Sequence, residues 1–292
     1  MLEFGKVKPM LCSLRAAPLD GGGMCWERKY DGFRALAFVN ADGSYRLQAR
    51  SLTDKTALFP ELKFGKGTNR ILDGEITCGE GPEAESFTAV QHRVNNPADV
   101  LDNVKTYPAW YQAFDIIEVA GISVWHSNLL ARKSVLQEAQ AKTANVTVVP
   151  WWQAGQELWT VAKQEGWEGI VGKDLSKAYE FGKRHWVKVK TWLSGWFDVI
   201  GYTPGTGKRA NLFGALVLAN GTQVGSGFTD AELAKMLSVL QNRRLITPLR
   251  PGGKALKMLD VAPFSVKVKY VEVTNDGQLR FPIFQESGVP LC

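Results

Sequence analysis

Residues 27–34 read Glu27-Arg28-Lys29-Tyr30-Asp31-Gly32-Phe33-Arg34, a dense polar cluster set against an apolar run that follows. Asp31-Gly32 is turn chemistry, and Lys29 stands just before the turn. A lysine with an ordinary pKa of about 10.4 is a poor nucleophile at neutral pH. Neighbouring cations, a bound metal or desolvation raise the fraction held as free amine. Read alone, the segment suits a charged surface hairpin as well as it suits an activated amine.

Further segments of similar character follow it: Arg50-Ser51 with Phe59-Pro60-Glu61-Leu62, Leu72-Asp73-Gly74-Glu75-Ile76, and Ala113-Phe114-Asp115-Ile116. Glu168-Gly169-Ile170-Val171-Gly172-Lys173 and Trp186-Val187-Lys188-Val189-Lys190 complete the set. Side chains alternate faces on a strand, so Lys188 and Lys190 point one way while Val187 and Val189 face the core. Two adjacent ammonium groups want an anion between them, or else they form a solvated strand face. Asp73 and Glu75 share a face opposite Leu72 and Ile76. Glu75 and Glu168 offer hard oxygen donors from separate strands, which suits Mg²⁺; the plainer reading is a pair of edge-strand salt bridges. Phe114 reads equally as a core ring.

Lys-Tyr-Asp-Gly-Phe-Arg, residues 29–34, resembles motif I (KxDGxR) of the covalent nucleotidyltransferases: DNA ligases, RNA ligases and mRNA capping enzymes. The other five segments resemble motifs Ia, III, IIIa, IV and V, and six in the family's order between residues 29 and 190 form a specific pattern. The resemblance implies that Lys29 attacks the α-phosphate of a nucleotide and forms a phosphoramide. It implies that Lys188 and Lys190 contact that phosphate, with Lys183 assisting. It gives Glu75 a metal or ribose role and Glu168 a metal role, stacks Phe114 on adenine, and has Glu27 read the adenine amino group. Arg34 and Arg50 are candidates for the ribose and for the 5′-phosphate at a nick, a task that suits the bidentate arginine fork.

Within the superfamily, Arg50-Ser51, the FPEL run and AFDIIEVAG resemble DNA ligases, as do Gly225-Ser226-Gly227-Phe228 and Leu279-Arg280-Phe281-Pro282. The expectation is a minimal ATP-dependent DNA ligase, a monomer acting on nicked duplex DNA with ATP and Mg²⁺. ATP is preferred to NAD because 28 residues precede Lys29. The alternatives are an RNA ligase, a GTP-using capping guanylyltransferase, or a non-catalytic relative that binds nucleic-acid ends. One departure is the lack of the family's RxDK-like element near the C-terminus. Gly205-Thr206-Gly207-Lys208 is a decoy for a phosphate loop, since Tyr202 and Arg209 break the Walker pattern.

The 292 residues are 45% hydrophobic and 22% charged, a globular balance, with a formal net charge of +6 that favours acidic partners. Cys12, Cys25, Cys78 and Cys292 have no metal-ligand spacing and read as reduced thiols. No secretory signal is visible, and the apolar stretch Trp110–Trp125 is interrupted by Asp115 and Glu118, so no membrane span and a cytoplasmic location are expected.

Strand-like runs at Leu36–Val39, Arg70–Thr77, Ala113–Val119, Gly169–Val171 and Trp186–Lys190 alternate irregularly with helical patterns at Glu85–Val94, Leu129–Ala141 and Glu157–Glu165. This predicts an α+β adenylation domain of mixed and antiparallel sheets over residues 1–193. From residue 194 to 292 come short runs at Trp196–Tyr202, Gly214–Ala219, Thr222–Gly225, Val266–Val273 and Leu279–Phe284. One helix, opened by the capping box Thr229–Glu232, interrupts them. That pattern predicts a C-terminal OB-fold β-barrel.

Overall fold

Two long strands buried at nearly every residue, Arg70–Cys78 and Ala109–Val119, build the central ladder of the first unit in the computed structural model, which describes residues 2–19, 21–81, 86–140, 143–245, 258–274 and 276–291. The chain divides into two units, Met1–Thr191 and Trp192–Cys292. In chain order the first begins with β1 (Cys12–Arg15), β2 (Met24–Arg28), β3 (Phe33–Val39), β4 (Tyr45–Ala49) and β5 (Arg70–Cys78). Next come α1 (Phe87–Asn95), α2 (Val100–Thr106), β6 (Ala109–Val119), β7 (Ile122–Ser123) and α3 (Leu129–Ala139). It ends with β8 (Val146–Val148), β9 (Trp151–Trp152), α4 (Gly155–Gln164), β10 (Gly169–Asp174) and β11 (Trp186–Lys190).

These strands form two sheets. One has the order β4-β3-β5-β6-β7, with β8 paired to β6; the other has the order β1-β11-β10-β2-β9. Pairing is antiparallel except for β1 with β11 and β6 with β8. Leu47, Phe59, Leu72, Tyr111, Ile116 and Leu136 anchor the larger core. Helix α3 starts at Asn128, whose side chain accepts from the Ala131 N–H at 2.9 Å. The helix is then fastened to β6 by the fully buried pair Arg132–Asp115, bidentate at 2.9 and 3.0 Å.

The second unit comprises β12 (Leu193–Pro204), β13 (Phe213–Leu218), β14 (Gln223–Val224), α5 (Asp230–Asn242), β15 (Leu259–Tyr270) and β16 (Ile283–Ser287). Its antiparallel sheet has the order β14-β13-β12-β15-β16. The capping box at Thr229 is made in full, and Leu233, Met236 and Leu240 of α5 are buried in this unit's core.

The mixed α+β expectation holds, with corrections to individual elements. The helix expected at Glu85–Val94 runs Phe87–Asn95, and Glu85, Ala141 and Cys292 lie outside the described residues. The run expected at Val266–Val273 begins at Leu259 and stops at Tyr270. Pro263 sits where the β12–β15 register slips between Val199/Phe264 and Gly201/Asp260. The last strand is Ile283–Ser287 rather than Leu279–Phe284. Gly277 and Phe281 both take positive φ, and Leu279 makes only an isolated bridge to Val273. Among the described residues no helix is long and apolar enough to cross a membrane.

Candidate active site

The two sheets of the first unit flank a cleft of about 220 Å³, lined by Glu27, Lys29, Arg34, Arg50, Glu75, Phe114 and Lys188 among others. Lys29 follows β2, and its backbone N–H donates to the Gly169 carbonyl at 2.9 Å. Gly169 is at the same time pressed on β11: φ is +149°, and an added Cβ would lie 2.0 Å from the Val189 carbonyl oxygen. The loop after Lys29 is pressed on β5 in the same manner, since a Cβ at Gly32 would meet the Ile76 carbonyl oxygen at 2.2 Å. These close approaches carry Lys29 to the carboxylates of the neighbouring strands.

The Lys29 ammonium is ion-paired with Glu168, which also receives Lys190 at 3.0 Å. Burial alone would favour the free amine, but Glu168, Glu75 and Asp31 together outweigh it and raise the Lys29 pKa. The Glu168 carboxyl, which burial would raise, is held below the usual range by Lys29 and Lys190. Glu75 has the opposite outcome: burial pushes it up to about 8, against the pull of Lys29 and Arg34. Lys188 is lowered by burial, then by the charges of Lys29 and Lys190. The cluster is therefore a set of cations and carboxylates whose charges are only partly matched, as a site for a charged ligand requires.

Arg34 grips Asp73 through two hydrogen bonds of 3.0 and 2.6 Å, and the Tyr179 hydroxyl donates to the same carboxylate at 2.6 Å. The Arg34 guanidinium lies 5.4 Å from the Phe114 ring centre and 5.2 Å from that of Trp186. Phe114 and Trp186 meet edge to face at 5.8 Å. Glu27, buried on β2, has one oxygen paired with Lys133 and the other with Lys173 at 2.8 Å.

The sequence-derived residues thus fall into groups. Glu27, Lys29, Arg34, Arg50, Glu75, Phe114 and Lys188 share the cleft wall, while Glu168 and Lys190 stand beside it and reach it through Lys29. Lys183 is exposed and does not line the cleft; its neighbour Arg184 does. Arg184 also joins Lys8 and Arg50 in an adjoining cleft of about 380 Å³ with no acidic residue in its wall. Sequence reasoning missed Lys133, Lys173, Trp186 and Tyr179. Lys173 had a visible signal, since it closes the apolar run Gly-Ile-Val-Gly on a strand.

Among the described residues no cluster of three or more acidic, histidine or cysteine side chains stands ready to hold a metal. Glu75 and Glu168 nevertheless suit Mg²⁺, which uses one or two protein carboxylates and completes its shell with water and substrate phosphates.

The family model described as the ATP dependent DNA ligase domain matches residues 9–190. A DNA ligase of Pyrobaculum calidifontis is 32% identical over 255 residues, covering 77% of this chain and 43% of that protein. The multifunctional non-homologous end joining protein LigD of Mycobacterium bovis is 29% identical over 303 residues, covering 96% of this chain and 38% of that protein. The chain therefore spans less than half the length of either relative. Among solved structures, mycobacterial DNA ligase D complexed with ATP and MES superposes with a TM-score of 0.59 at 24% identity, covering 98% of this chain and 96% of that one. A Lig E DNA ligase gives 0.63 at 19% identity, covering 95% and 98%; at these identities the likeness speaks for the fold. With motifs I to V gathered in one unit and a family match across more than half of its residues, the chain belongs to the ATP-dependent DNA ligase family.

Proposed function

We propose that this chain is an ATP-dependent DNA ligase that seals 5′-phosphate/3′-hydroxyl nicks in duplex DNA through an adenylate carried on Lys29. The observation that carries the reading is the placement of the Lys29 amine on the wall of a cleft that also holds Phe114, Glu75 and Lys188, with Glu168 and Lys190 at its side.

In the first step the Lys29 nitrogen attacks the α-phosphorus of ATP. A P–N bond forms, the bond to pyrophosphate breaks, and the amine proton is lost to solvent. Lys188 and Lys190 attract the phosphate charge, and the transition state is stabilised chiefly by such fixed charges. As Glu168 leaves Lys29, the largest influence that raises the amine's pKa is removed, while burial, which favours the nucleophilic form, remains. Glu75 and Glu168 are the residues that would hold Mg²⁺, which supplies charge neutralisation at the phosphates. Phe114 stacks the base, and Glu27 takes the adenine amino group as acceptor. In the second step a DNA 5′-phosphate oxygen attacks the adenylate and the P–N bond breaks. In the third the 3′-hydroxyl oxygen attacks that 5′-phosphorus, its proton passes to solvent and AMP leaves, closing the backbone. Arg50 and Arg184 are assigned to the DNA phosphates.

The second unit is read as an OB-type barrel that adds DNA contacts; its antiparallel sheet packed with α5 supports that reading. The free thiols of Cys12, Cys25 and Cys78 accord with work in a reducing compartment.

The test is incubation with Mg²⁺ and α-labelled ATP. Label that survives denaturation and alkali but is released by acid, as a P–N bond requires, is expected on the wild type and not on Lys29→Ala. Label from GTP alone points to capping chemistry. Sealing of nicked DNA compared with nicked RNA duplexes then separates the ligase classes.

A further inference from the structure

We propose that Lys133, which does not line the cleft, is a positioning residue that decides which purine the cleft accepts by fixing the Glu27 carboxylate. The inference rests on the adenylate-transfer reading above and assigns the base selectivity of the same site.

Glu27 is 2% exposed, yet it forms part of the cleft wall. Its Oε1 takes Lys133 from α3, and its Oε2 takes Lys173 from β10 at 2.8 Å. Both lysines also donate to the Phe114 backbone carbonyl on β6, Lys133 at 2.7 Å and Lys173 at 3.4 Å. The carboxylate that faces the cleft and the strand that presents the aromatic ring are thereby tied to the same two cations. Two ammonium groups surround one carboxylate, and the nearby Asp115–Arg132 pair is neutral by itself. Lys173 lines the cleft 4.3 Å from the Phe114 ring centre and 4.2 Å from that of Trp186.

A fixed acceptor beside a fixed donor, next to an aromatic ring, is a template for the edge of a purine. Adenine offers an amino donor at position 6 and an acceptor at N1. Guanine offers the reverse order, an acceptor at O6 and a donor at N1. Glu27 and Lys173 match adenine only while the carboxylate keeps its orientation, and Lys133 is the group that prevents it from turning. Without Lys133 the Oε1 that it holds is free to turn about the Lys173 contact at Oε2, and the donor–acceptor order that separates the two purines is lost. Misplaced buried partners are what sites of this kind use to reject an analogue.

The experiment measures self-adenylation kinetics with labelled ATP and GTP for the wild type, Lys133→Met and Lys133→Arg. K133M should raise the KM for ATP at least about tenfold with little change in kcat, and reduce the ATP-over-GTP preference at least about tenfold. K133R should restore most of both. Lys173 still faces the Glu27 carboxylate in K133M. Should K133M nevertheless fail to fold, Lys133→Gln, which keeps a donor for the Phe114 carbonyl, is expected to show the same loss of preference. A folded K133M, or K133Q in its place, with wild-type KM and preference overturns the inference, as does a loss of kcat at unchanged KM. A wild type that takes no label from either nucleotide overturns the adenylate-transfer reading itself. A wild type that labels while the variants match it overturns only the assignment to Lys133.

Discussion

Lys29 and Glu168 are joined in a salt bridge, and the same carboxylate holds Lys190 at 3.0 Å. The proposed nucleophile is therefore stored as its conjugate acid. Burial by itself would favour the free amine, and the carboxylates of Glu168, Glu75 and Asp31 reverse the sign. Activation then consists of taking Glu168 away from Lys29, which an incoming anion on the lysines or a cation on the carboxylate can each promote.

Replacing Glu168 by Gln should lower the Lys29 pKa. The carboxylate is the largest influence raising it, while burial, which lowers it, remains after the substitution. A contacting opposite charge is worth roughly 1–3 units, so the midpoint for modification of Lys29 by a small amine reagent should fall by about that amount. Labelling from ATP should fall as well, because the phosphate-side role of Glu168 is gone. A midpoint that stays put or rises would show that Glu168 does not govern the amine.

Lys188 carries its own expectation. It lines the cleft, and its pKa is lowered by burial and by the charges of Lys29 and Lys190, so an anion between these groups relieves real repulsion. Lys188→Ala should slow self-adenylation by about 100-fold or more, the usual cost of removing a group aimed at developing charge. Single-turnover labelling measures it. A decrease confined to the DNA-joining step would instead assign Lys188 to the polynucleotide.

The Arg132–Asp115 pair should be a stability element. Both side chains are almost fully buried, and Asp115→Asn leaves the guanidinium without its counter-charge. Breaking such a pair costs roughly 3–5 kcal/mol, enough to lower the melting temperature clearly. The double variant Asp115→Asn with Arg132→Gln should recover part of the loss. Equal losses for the single and the double variant would mean that packing rather than charge is at stake.

The same helix shows where the sequence could be read and where it could not. Leu129, Arg132, Lys133 and Leu136 are its buried residues, and they stand at the i, i+3, i+4 and i+7 spacing of a core-facing stripe. Two cations in that stripe announce buried carboxylates opposite them, but a single sequence does not say which. Asp115 and Glu27 are supplied from 17 and 106 residues away. Strand β11 was legible to its end residues because Val187–Lys190 alternates apolar and charged residues, although Trp186 is buried on the face of the lysines. Strand β2 was not, since Glu27 and Arg28 look like part of the polar cluster around Lys29 although β2 pairs on both sides. The two-residue strands β7 and β9 are no longer than a single period of the strand alternation, too short to show a pattern. Glu168 was legible as a hard ligand, while its present partnership with Lys29 depends on the glycine contacts that bring β10 against the motif I loop.

Salt dependence tests the assignment of Arg50 and Arg184 to DNA phosphates. Both are exposed at the edge of the cleft that holds Lys29, and with Lys8 they line an adjoining cleft whose wall has no carboxylate to compete for them. Each phosphate neutralised contributes about −0.9 to the slope of log K against log salt on duplex DNA. The double variant Arg50→Ala with Arg184→Ala should therefore bind nicked duplex more weakly and flatten the slope by about 1.8. Self-adenylation measures the nucleotide side alone and should change far less. If the slope is unaltered while adenylation collapses, the two arginines serve ATP rather than the nick, and the second cleft has no part in holding DNA.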